Sequence, residues 1–151
     1  MTIGEVKREL NRVRLLQTKY EDDIELLARL RSQAEKVTPV LSDMPSAGGG
    51  NTSRVEEYSV KMVDLQNEIA DTLKETLEAV RELQQWIDTL GVPEEQRVLT
   101  LRYVCCYKWE TVMEKMCYSW GGVHKVHKRA LRHLAGYTDE ADKIDFTCSL
   151  F

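Results

Sequence analysis

The sequence predicts an all-α fold, a long N-terminal helical hairpin or coiled coil followed by a small helix-turn-helix domain. Three observations carry that expectation. Apolar residues recur at alternating spacings of three and four through two long segments. Only 8 glycines and 3 prolines are spread over 151 residues, too few turn-formers for many short strands. A block after residue 92 then breaks into three short amphipathic segments separated by turn and cap residues.

The first seam reads Ile3, Val6, Leu10, Val13, Gln17, Tyr20, Ile24, Leu27, Arg31 and Ala34, with only Gln17 and Arg31 polar. The second reads Val55, Tyr58, Met62, Leu65, Ile69, Thr72, Thr76, Ala79, Leu83, Trp86 and Leu90, and Leu73, Leu77, Val80 and Ile87 widen its stripe toward a further neighbour. Between them, residues 38–53 hold two prolines, a triple glycine and several turn-forming side chains, so the chain reverses there. Helices of about 35 residues reach roughly 50 Å at 1.5 Å per residue, more than one small core requires. Their seams are therefore expected to bury each other or a second copy of the chain, making a homodimer. The segments expected are a hairpin over 1–90 with its loop at about 38–53, a helix-turn-helix domain over 91–136, and an acidic and apolar tail over 137–151.

In the C-terminal block, Gly91 stops one helix and Pro93, followed by Glu94 and Glu95, starts the next, which runs to about Val104 with Val98, Leu99 and Leu101 inward. A short helix starts at Trp109, burying Trp109, Val112, Met113 and Met116. After Cys117-Tyr118-Ser119, with Ser119 as cap, a third starts at Trp120. Val123, Val126, Ala130, Leu131 and Leu134 mark its inner face, leaving His124, Lys125, Lys128, Arg129 and Arg132 outward or flanking.

Charge separates along the chain. Residues 1–92 carry 12 Lys/Arg against 17 Asp/Glu, residues 93–136 carry 8 against 4, and residues 137–151 carry 1 against 4. From Lys115 to Arg132 five cations and two histidines occur with no carboxylate, the footprint of an anion-binding face. Two short helices joined by a three-residue turn place the second in the DNA major groove. Ser119 and the helix start then meet phosphate, Trp120 packs on a sugar or thymine methyl, His124 and Lys125 reach base edges, and Lys128, Arg129 and Arg132 follow the backbone. Double-stranded DNA is the expected partner.

Other classes find less support. The carboxylates alternate with Lys and Arg and form no catalytic constellation, so the chain is read as a non-enzyme without cofactor. Cys105, Cys106, Cys117, His124, His127 and His133 lack the paired spacing of a zinc site, so no metal is expected. No apolar run reaches membrane length and no signal-peptide pattern opens the sequence, which with unspaced cysteines points to the reducing cytoplasm.

The stretch from Leu101-Arg102-Tyr103 through Lys108-Trp109-Glu110-Thr111-Val112 and Tyr118-Ser119-Trp120 to Val123-His124-Lys125-Val126-His127-Lys128-Arg129-Ala130-Leu131 resembles region 4 of sigma-70 factors over about 40 residues. With Thr38-Pro39-Val40-Leu41-Ser42-Asp43-Met44-Pro45, the whole chain is similar to small phage proteins related to the ArpU and RinA late-gene transcriptional regulators. That resemblance implies a phage or prophage regulator of late genes in a bacterial host, its hairpin supplying dimerisation or a contact with host RNA polymerase. The base-reading positions fall on Trp120, Gly121, His124 and Lys125, and Cys117 stands where glycine is frequent in the turn. The alternative is a nonenzymatic coiled-coil interaction module whose sigma-like domain no longer binds DNA.

Overall fold

The structure, a computed structural model, describes residues 1–37 and 50–137. The Thr38–Pro45 stretch and the tail expected beyond Tyr137 lie outside the described residues. Among the described residues the fold is all-α: α1 (Ile3–Val37), α2 (Gly50–Asp88), α3 (Pro93–Leu99) continued by a π-helical turn (Thr100–Val104), α4 (Trp109–Met116) and α5 (Trp120–Leu134). α2 opens at Gly50, inside the segment expected as loop. No helix among the described residues is long and apolar enough to cross a membrane.

The chain forms two compact units, and they cut across the expected segments. Of the described residues, one comprises 1–15 together with 78–137; the other comprises 16–37 and 50–77. The unit that holds the C-terminal block also contains the start of α1 and the end of α2.

In the Leu16–Leu77 unit the α2 seam falls where its spacing put it. Leu65, Thr72 and Thr76 are buried, and Val55, Tyr58, Met62 and Ile69 half-buried. The Thr76 hydroxyl donates to the Thr72 carbonyl at 2.7 Å, so a polar side chain enters the seam with its proton satisfied. On α1 the half-buried residues of this unit are Leu16, Gln17, Tyr20, Asp23, Leu27, Leu30, Ala34 and Val37, whereas Ile24 is 43% exposed and Arg31 lies in solvent. Tyr20, Leu27 and Ala34 thus hold the expected seam, while Asp23 and Leu30 are half-buried where Ile24 and Arg31 were expected. Leu73 and Leu77, expected to widen the α2 stripe inward, are exposed.

The other unit begins with a capping box that the spacing of apolar residues did not reveal. Thr2 N–H donates to Glu5 Oε2 at 2.7 Å and Glu5 N–H donates to Thr2 Oγ1 at 3.3 Å. Val6, Leu10 and Val13 of α1 are buried, as are Ala79, Leu83 and Ile87 of α2. Each large apolar side chain so buried contributes about 1.5–3 kcal/mol. α2 ends without a left-handed glycine: the Thr89 hydroxyl and the Gln96 amide donate to the carbonyls of Trp86 and Leu90, both at 2.6 Å, and Gly91 keeps an ordinary backbone. α3 starts with Pro93 in its first turn as expected. It lengthens into a π-turn closed by Cys105 N–H donating to the Thr100 carbonyl at 2.9 Å, and Leu101 and Tyr103 are buried there.

α3 and α4 both pack against α5, whose inner face is the expected one: Val123, Val126, Ala130, Leu131 and Leu134 are all buried. α5 stops at a left-handed Gly136 (φ 89°), with Tyr137 N–H donating to the Arg132 carbonyl at 3.0 Å. Cys117 ends α4 in the same left-handed region, at φ 56°. That conformation strains any residue with a Cβ by about 1–2 kcal/mol, whereas glycine loses about 0.5–1 kcal/mol to extra chain entropy. Cys117→Gly is therefore expected to stabilise the chain by about 0.5–1 kcal/mol in chemical denaturation; destabilisation would show that the thiol, which donates to the Glu114 carbonyl at 3.6 Å, matters more.

Candidate nucleic-acid interface

α4 and α5 are joined by Cys117, Tyr118 and Ser119, and the sharp turn rests on the left-handed Cys117. Ser119 Oγ accepts from Gly122 N–H at 3.1 Å, the predicted N-cap. Gly122 has a reason to be glycine, since a Cβ there would lie 3.2 Å from that oxygen. Nothing stands within 4 Å of where a Cβ on Gly121 would point, so the first turn of α5 offers bare, exposed backbone.

Apart from Ser119 and Arg132, the predicted site residues divide into three groups. Lys125 and Lys128 are exposed on the outer face of α5, and among the described residues neither enters an ion pair. Trp120 and His124 belong to an aromatic stack. The His124 ring lies 4.5 Å from Trp109 and 4.4 Å from Trp120, while Arg102 caps the other end, 4.8 Å from the Trp109 ring. Trp120 remains 54% exposed beside the His124 ring. His124 is held between two indoles, with Nε2 buried and without a hydrogen-bond partner among the described residues. Arg132 is half-buried toward the end of α5.

Arg129 forms the third group, and its guanidinium is engaged within the fold. Its Nε–H donates to Glu95 Oε1 at 2.6 Å, with Glu94 at 3.6 Å, and His133 Nδ1–H donates to Glu95 Oε2 at 2.7 Å. Glu95 is completely buried, so α3 is locked to α5 through one carboxylate held by two residues a turn apart. First-turn position accounts for Glu95 only as an exposed acid beside the helix dipole. The available signal was Arg129 and His133 sharing one α5 face with no acid on their own helix. Lys115 is likewise turned elsewhere, 5.1 Å from the Tyr107 ring.

His127 lies behind the stack, with Nε2 2.8 Å from the Tyr103 hydroxyl and its ring edge-on to Trp109 at 4.9 Å. Burial first, then the charges of His124, Lys7 and Arg102, push its pKa down to about 4, so the ring is neutral at neutral pH. Burial, and then Arg14, lower the Arg102 pKa, yet a guanidinium stays charged at any physiological pH. Cations thus converge on this side of the unit from α1, the π-turn and α5. Cys105, Cys106 and Cys117 are free thiols, and among the described residues no three His, Cys, Asp or Glu side chains converge as a metal site.

Fold and site together define an all-α protein with two long helices and a short helix, turn and basic helix near its C-terminal end. Residues 37–135 match the family described as "Protein of unknown function (DUF1492)", and the chain belongs to that family. No curated protein and no solved structure matches the chain.

Proposed function

We propose that this protein is a non-enzymatic, duplex-DNA-binding transcriptional regulator that presents α5 to the major groove. The resemblance to phage late-gene regulators narrows the reading to a phage or prophage protein acting in the bacterial cytoplasm, with the long helices pairing two copies or meeting host RNA polymerase. One observation carries it: after a capped three-residue turn, the outer face of α5 presents Lys125 and Lys128 beside exposed Trp120 and Gly121, with no carboxylate anywhere on that helix. Duplex backbone is dense in phosphate, and each ammonium meeting it releases a counterion.

Fluorescence anisotropy of labelled duplexes across a salt series tests this reading. Binding is expected with a log–log slope of several units, and Lys125→Ala and Lys128→Ala are each expected to lower that slope by about one. Lys125→Ala should also blunt discrimination between target and scrambled duplex by roughly 1–3 kcal/mol, since it lies nearer the helix start. Arg129→Ala should act chiefly on stability, because its guanidinium is engaged by Glu95. The competing interaction-module reading is favoured by the exposure of Val60, Val63, Leu73 and Leu77 on α2. Absence of duplex binding at low salt would leave that reading in place. Sedimentation of the full chain decides the dimer, for which twice the chain mass is expected.

A further inference from the structure

We propose that the start of α1 belongs to the DNA-binding face: Lys7, together with Lys125 and Lys128, forms a phosphate site in the cleft between α1 and α5, occupied by a backbone phosphate of the duplex. The proposal rests on the DNA-binding reading above and extends it to a helix whose seam pattern spoke only for hairpin formation.

The cleft has a volume of about 290 Å³ and is lined by Lys7 from α1 and by Gly121, His124, Lys125, His127, Lys128 and the apolar Leu131 from α5. That exceeds the space of several waters at about 30 Å³ each, enough for a phosphate group and its remaining hydration. No carboxylate lines it. The acids next to Lys7 in sequence are turned away: Glu5 is held by Thr2 in the capping box, and Glu9 lines a separate cleft with Arg12. Among the described residues Lys7, Lys125 and Lys128 enter no ion pair, whereas Arg12, Arg29, Lys61 and Arg129 each have a carboxylate partner. Three ammonium groups gathered around one opening repel each other, and a bound anion converts that repulsion into attraction. The Lys7 charge is also among those that keep His127 neutral. A neutral His127 bonded to Tyr103 forms a wall for the cleft and leaves the charge to the lysines. Because Lys7 approaches α5 from a different helix, it meets a phosphate flanking the groove rather than a base edge.

The test uses the full-length chain and a labelled duplex over a salt series. Lys7→Ala is expected to weaken binding about eightfold in 0.1 M salt and to lower the log–log slope by about 0.9, the release of one counterion. Lys7→Arg should restore both, and Lys61→Ala, on the other unit, should change neither. Far-ultraviolet circular dichroism of each variant should match the parent. If Lys125→Ala and Lys128→Ala weaken binding but Lys7→Ala does not, α1 lies outside the interface and the proposal is overturned while the DNA reading stands. If the parent binds no duplex, the DNA reading fails, and titrating inorganic phosphate and pyrophosphate into ¹⁵N-labelled chain decides the site. Shifts at Gly121 and His127 that vanish in Lys7→Ala retain a phosphate site for a free ligand; no shifts overturn it.

Discussion

Glu95→Ala is expected to destabilise the protein by about 3 kcal/mol, because removing one member of a buried ion pair leaves its partners without the charge that justified their placement. Glu95 is wholly buried while its partners reach solvent, with Arg129 44% and His133 19% exposed at the side chain. Arg129 can therefore turn toward water after the loss, which puts the cost at the lower end for buried pairs. Glu95→Gln keeps the shape and one acceptor and should cost about half as much. Glu94→Ala removes an exposed carboxylate that accepts from the Tyr118 hydroxyl at 2.6 Å and should cost less than about 1 kcal/mol. Urea denaturation followed by tryptophan fluorescence separates these outcomes. Equal, small effects at Glu94 and Glu95 would mean that α3 and α5 are held together by their apolar faces alone.

Acid should destabilise the same helices through His127. In the folded chain its ring stays neutral down to about pH 4, whereas in the unfolded chain it protonates near 6.5, so the unfolded state binds the extra proton between those values. Stability from this group is complete above about pH 6.5 and falls as the pH drops toward 4, by about 3 kcal/mol in all. His127→Phe keeps an aromatic ring beside Trp109 and Tyr103 but cannot protonate. It should lose the Tyr103 hydrogen bond at every pH, about 1 kcal/mol, and flatten the acid limb relative to the parent. Parallel stability curves for parent and variant between pH 4 and 7 would mean that His127 charges inside the fold without penalty.

Much of the architecture was legible in sequence, because helices and caps are local devices. The α2 seam, the Ser119 cap and the five inward residues of α5 follow from spacings of three and four along one helix, and each reappears in the structure. On α1 the seam positions Val6, Leu10, Val13, Tyr20, Leu27 and Ala34 were legible too, whereas Asp23 and Leu30 are half-buried where Ile24 and Arg31 were expected. Basic character at the C-terminal block was equally plain, being a matter of composition.

What each cation does was decided only by tertiary structure. Arg129 and Lys128 are neighbours in sequence and equivalent by composition, yet one meets a buried carboxylate 34 residues away and the other faces solvent. His124 was expected at a base edge from its place on α5 alone, and the packing of Trp109, from the preceding helix, against its ring carries no sign in that spacing. Lys7 lies in the half of the chain that is acidic overall and enters the basic cleft only because the start of α1 shares a unit with α5. Spacing along a helix sets which residues share a face, and this sequence determined that much by itself. Which distant charge or ring that face meets depends on how the helices pack, because Coulomb and stacking interactions act through space over a few ångströms and carry no trace in local periodicity.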